Sequence, residues 1–170
     1  MDPNAAFADR GRPSSTPAAR LRPYLVAPLL LLIAALLALR AAGAVGVAPL
    51  ADWQTAARFA LALMFVFTAS AHFGSQRASL VQMVPGWLPR PQVLVSVTGL
   101  FELLGALGLL LPTTAPLAGS CLAILLVAMF PANVNAARQH VMIGSKPATP
   151  LWFRTLVQVV FVAALLWASV

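Results

Sequence analysis

The sequence predicts an all-α fold, an integral membrane bundle of apolar helices, and three observations carry that prediction. Of 170 residues, 61% are hydrophobic and 9% charged, with a mean hydropathy of +0.89. Soluble domains are about 45–50% apolar and about 25% charged. The apolar residues gather in five runs that approach or reach the roughly 20 residues a helix needs to cross hydrocarbon. Inside such runs the backbone must bond to itself, which leaves the helix as its conformation. The length fits one membrane domain. The formal charge is +7, but the basic residues stand at the ends of apolar runs rather than in a patch, so the expected partner is the lipid bilayer and not nucleic acid.

The elements follow in order. Residues 1–23 are polar and rich in proline and arginine, and are expected to be a disordered cytoplasmic tail. The first apolar run, 24–39, ends at Arg40 and Ala41-Ala42-Gly43-Ala44, giving an extra N-terminal span over 24–41. Arginines before it and small residues after it also fit a cleavable signal peptide. The long polar tail and Arg40 favour an uncleaved anchor; a mature chain beginning near Val45 would show cleavage. The bundle domain runs over 52–170. Its spans are 54–73, 92–111, 115–137 and 151–170. Pro85, Pro89 and Pro91 break the chain after the first of these. Trp87 between them predicts a rigid segment at headgroup depth. Pro112 and Pro116 bracket a turn so short that 92–111 and 115–137 must form an antiparallel hairpin.

Loop charges choose an orientation. With the N-terminus inside, inner segments hold nine basic residues: Arg10, Arg12, Arg20, Arg22, Arg77, Arg90, Arg138, Lys146 and Arg154. Outer segments hold two, Arg40 and Arg58. The positive-inside rule gives N-in, C-out.

Glu102 is the only glutamate and the only acid after Asp52. It lies in a run with no other charge, where an ionised carboxylate costs about 2.5–3.5 kcal/mol on insertion scales. It must therefore face the bundle interior with a partner, or be protonated. Depth counting at about 1.5 Å per residue puts Glu102 near mid-membrane, with Gln158, Asn133, Arg154 and His72 between it and the inner face. Arg154 and Gln158, four apart, share a helix face.

The order and spacing of several motifs resemble the DoxX-like family of small bacterial membrane proteins. These are His72-Phe73, Met83-Val84-Pro85-Gly86-Trp87-Leu88-Pro89, the stretch from Thr98 through Glu102 to Pro112, Phe130-Pro131-Ala132-Asn133-Val134, and Leu151-Trp152-Phe153-Arg154 through Gln158. The resemblance covers about 58–167. It implies a four-helix core, to which the first span is an addition, in the bacterial cytoplasmic membrane. Some relatives are subunits of a thiosulfate:quinone oxidoreductase or belong to membrane redox-stress complexes, so it implies a small subunit of a redox or quinone-linked assembly with a membrane or peripheral protein partner.

The expected site is one interior network of Glu102, Asn133 and Gln158, with His72 and Arg154 at its mouth. The Asn133 amide is expected to satisfy the carbonyl that Pro131 frees, and Gly99, Gly105 and Gly108 to let helices approach Glu102. A lipid-facing groove there would admit a quinone headgroup, with Glu102 and His72 as candidate proton carriers and no tightly bound cofactor. Against this stand a structural Glu102 satisfied by Gln158, interhelical roles for Asn133 and Gln158, a snorkelling Arg154 and an interfacial His72. A membrane scaffold or small-solute transporter is the alternative function. One cysteine and two histidines do not build a zinc site of ordinary ligand count. Haem ligation by His72 and His140 is disfavoured because His140 falls in a loop.

Overall fold

The computed structural model describes residues 23–139, 142–143, 146–147 and 149–170. The expected tail and His140 lie outside them. Among the described residues seven α-helices follow in order: α1 Pro23–Ala44, α2 Trp53–Phe73, α3 Arg77–Met83, α4 Pro91–Leu110, α5 Ala115–Ala128, α6 Phe130–Arg138 and α7 Leu151–Ala168, with a short 3-10 turn at Ala48–Ala51. A two-residue pairing of Met142–Ile143 with Lys146–Pro147 lies between α6 and α7. The fold is the expected all-α bundle. Five stretches are long and apolar enough to cross a membrane: Val26–Ala44, Trp53–Phe73, Pro91–Leu110, Ala115–Arg138 and Leu151–Ala168.

Helix α2 is the hub. Asp52 caps its start by accepting the Thr55 N–H at 2.7 Å. It packs on α1 and α4, and its buried small residues Ala56, Ala57, Ala60 and Ala69 let neighbouring backbones come close where lipid supplies no hydrophobic drive. Its larger side chains Leu61, Met64 and Phe65 fill the centre with Leu109 of α4, Leu122 of α5 and Leu165 of α7. The α4–α5 hairpin forms as expected, with the Thr114 hydroxyl donating to Gly108 O at 2.8 Å across the turn. Gly105 receives Leu122 and Gly108 receives Ala118, so these two glycines admit α5 rather than a partner of Glu102.

Two features depart from the sequence reading. The span expected over 115–137 is present as Ala115–Arg138, but its helix is interrupted at Met129 into α5 and α6. Pro131 has no N–H to continue the ladder, so α6 restarts with Ala132 N bonding back to Met129 O at 3.1 Å. The loop after α2 contains helix α3, packed across the end of the bundle. Arg77 ties α3 to α4, and Asn135 of α6 donates to Met83 O at 3.1 Å at its far end.

Candidate functional site

The site begins with two pairs of residues four apart on adjoining antiparallel helices. Thr68 and His72 lie on one face of α2; Thr98 and Glu102 lie on one face of α4. The pairs interlock. Thr68 Oγ1 donates to Glu102 Oε2 at 3.0 Å, and His72 Nε2 stands 3.6 Å from Glu102 Oε1. His72 Nδ1 lies 2.7 Å from Val95 O and 3.2 Å from Thr98 Oγ1. Gly99 makes the approach possible: a Cβ there would lie 2.6 Å from His72 Cβ. His72 and Glu102 are 4% and 3% exposed, so both are interior groups. His72 stands in the last turn of α2 and is covered there by α4.

The ring's proton arrangement follows from its neighbours. A carbonyl oxygen can only accept, so Nδ1 carries a proton and donates it to Val95 O. The Thr98 hydroxyl spends its own proton on Leu94 O at 3.0 Å or Val95 O at 3.1 Å. Nε2 then faces Glu102 Oε1. A bare Nε2 beside a bare carboxylate would set two acceptors against each other and bury a negative charge. One proton between them removes both penalties, as carboxylic acid with neutral imidazole or as carboxylate with imidazolium. Either form is neutral as a pair, the condition a membrane interior favours. In both, the one proton of the Thr68 hydroxyl has Glu102 Oε2 at 3.0 Å and Phe65 O at 3.1 Å as its acceptors.

Arg77, at the start of α3, closes that end of this site. Its guanidinium donates to His72 O at 2.8 Å, Gln92 O at 3.1 Å and Ser96 Oγ at 2.9 Å. A cation on the last carbonyls of α2 suits the negative end of that helix.

The remaining expected residues form a separate cluster between α6 and α7. Arg154 Nη1 donates to Asn133 Oδ1 at 2.7 Å, and Arg154 Nε to Thr149 Oγ1 at 3.2 Å. Asn133 Nδ2 donates to Gln158 Oε1 at 3.0 Å. The amide that reaches back to the α5–α6 break is that of Gln158, bonding Leu126 O at 2.9 Å, and not that of Asn133. Arg154 is 2% exposed, so it does not snorkel. The single expected network is thus two. No hydrogen bond among the described residues joins Glu102 to Asn133 or Gln158, because α4 packs on α2 and α5 while α6 packs on α7 and α3.

A groove of about 320 Å³ runs along α7 against Val127 and Phe130, with Gln158 on its wall. Glu102 does not line it. Among the described residues no cluster of His, Cys, Asp and Glu could hold a metal. Cys121 is exposed on α5 with no disulfide partner.

Sequence reasoning missed Thr68, Thr98, Arg77 and Thr149. A signal for the first two was present: each stands four residues before a titratable residue that was singled out, on the same helical face. Arg77 and Thr149 lie outside the apolar runs and carried no such mark.

Residues 61–169 match the family described as Domain of unknown function (DUF8561). The chain belongs to this family. The match takes in the Glu102–His72 pair and the α6–α7 cluster and leaves α1 outside. No curated protein and no solved structure matches the chain.

Proposed function

We propose that this DUF8561 chain is a multi-pass protein of the bacterial cytoplasmic membrane, with its N-terminus inside. On this reading it serves as the small DoxX-like subunit of a redox-linked assembly, and the Glu102–His72 pair is its proton-holding centre. The observation that carries the proposal is the setting of His72, with Nδ1 2.7 Å from Val95 O and Nε2 turned to Glu102 Oε1 at 3.6 Å, an arrangement that suits one proton held between the last two. Such a pair can pass its proton inward or outward while changing the local charge by one unit, the elementary act of proton-coupled electron transfer in a partner. The order and spacing of the motifs around both clusters support the DoxX-like assignment. The distribution of basic residues supports the orientation.

A quinone contact of Glu102 would need an opening to it from the bilayer. Glu102 is buried and does not line the groove, so no step is written through a quinone headgroup there. Electrons belong to the partner and the proton to this chain.

One observation favours a second reading, a scaffold in which the pair only fastens α2 to α4. Both Glu102 oxygens and both His72 nitrogens already have a neighbour within 3.6 Å. Affinity purification from native membranes separates the two. Wild type and Glu102→Gln should retain the same oxidoreductase partner, with turnover lost in the variant. Unchanged turnover in a folded Glu102→Gln assembly would leave only the fastening role.

A further inference from the structure

Arg154 carries a charge that nothing described answers. The chain has four acids, Asp2, Asp9, Asp52 and Glu102. Asp52 caps α2 at the opposite end of the bundle, and Glu102 holds His72. The other two lie outside the described residues. Among the described residues Arg154 meets only the neutral oxygens of Asn133 and Thr149, which take two of its five N–H donors. It also sits in the first turn of α7, where the helix end is itself positive and no described side chain caps the free N–H groups. A 2%-exposed guanidinium and a helix N-terminus therefore add their fields with no counter-ion among the described residues.

A second observation stands beside it. The apolar groove starts at Thr155, next to Arg154, and follows the stripe Thr155, Val159, Val162 and Leu166 along α7. These eleven steps span about 16 Å, the depth of one leaflet's hydrocarbon at about 15 Å. Gln158 joins the two features: its side chain lines the groove and accepts from Asn133, whose oxygen holds Arg154.

From this juxtaposition we infer that α7 carries a binding site for an anionic phospholipid. One acyl chain lies in the α5–α7 groove, and the phosphate takes the remaining donors of Arg154 and the free N–H groups at the start of α7. A basic pocket between spans at the end of the bundle that carries the chain's basic loops is suited to such a headgroup. The site is independent of Glu102 and His72.

Native mass spectrometry of the full chain in detergent, offered equal amounts of phosphatidylglycerol and phosphatidylcholine, tests it. Wild type should keep one phosphatidylglycerol in preference to phosphatidylcholine. Arg154→Gln should weaken retention by about tenfold or more, the scale of one charge-assisted hydrogen bond. Ala163→Phe blocks the groove from an exposed position, leaves Arg154 in place, and should weaken retention while the protein's unfolding temperature stays put. Equal binding of the two lipids, or phosphatidylglycerol retention untouched by Ala163→Phe, would overturn the site. Inorganic phosphate alone, at millimolar concentration, should neither bind nor displace the lipid. If it saturates the Arg154 cluster in wild type and Ala163→Phe alike, the ligand is a free oxyanion and the lipid assignment fails.

Discussion

A carboxyl about three turns inside α4 is tolerated because Thr68 and His72 stand where its two oxygens point. Replacing Thr68 by Ala removes one donor and should cost on the order of 0.6–1.7 kcal/mol, the range measured for interhelical hydrogen bonds in membranes, seen as earlier unfolding in a denaturant titration. Asp52 makes the contrasting case at the surface. The Thr55 backbone N–H, and then its hydroxyl, hold the Asp52 carboxyl below the usual carboxylate value. Its folded pKa is thus lower than its unfolded value of about 3.9, so the cap's stabilisation is present above about pH 4 and is lost as pH falls through the folded pKa. Asp52→Ala should lower the unfolding temperature at pH 7, and the gap from wild type should close on acidification below pH 4. The importance of Glu102 was legible in the sequence because a lone acid in an apolar run is costly wherever it lies. Its partner was not. Depth counting separates His72 from Glu102 along the membrane normal, yet two side chains and a glycine-sized gap at Gly99 bridge that separation.

At the scale of elements, glycine and proline positions decide which helices meet. Gly99→Ala should push His72 off α4, because the added Cβ would come within 2.6 Å of His72 Cβ and 2.8 Å of His72 Cγ. The expected loss is about 1–3 kcal/mol, typical of overpacking, together with a changed His72 ring signal in nitrogen NMR. Ala at Gly108 presses instead on Ala118 and should leave that ring signal alone. Gln158→Leu strands Asn133 Nδ2 and Leu126 O, and should destabilise the α6–α7 contact by about 1–3 kcal/mol in the same titration. The hairpin of α4 and α5 was readable from Pro112 and Pro116, since so short a turn permits no other arrangement. Helix α3 was not readable, because Arg77–Met83 is too short and too mixed to signal against the prolines that follow. Nor was the split of the network. Periodicity shows which residues share a helix face but not which helix that face meets, and α6 turns its Asn133 face to α7 only after the break before Pro131.

For the whole molecule, the ends of the bundle differ in charge. Arg77, Arg138 and Arg154 gather at one end, while Arg40, over the Trp53 ring at 4.4 Å, and Arg58 mark the other. In a Cys121→Ser background, a membrane-impermeant thiol reagent applied to intact cells should label Val47→Cys and spare Gly86→Cys; the reverse pattern would invert the orientation. The helices and the hairpin needed only apolar length and turn length, so the bundle could be foreseen. The site needed side-chain pairing across α2 and α4, which one sequence does not encode in its periodicity. That pairing bears the functional proposal, and its proton count is the measurement to make. Nitrogen NMR of His72 combined with infrared spectroscopy of the Glu102 carboxyl, in bilayers at pH 7 with Glu102→Gln as reference, reads both partners at once. A neutral ring beside a carboxylic acid, or an imidazolium beside a carboxylate, is the expected result. A neutral ring with bare Nε2 beside an ionised Glu102 would contradict it.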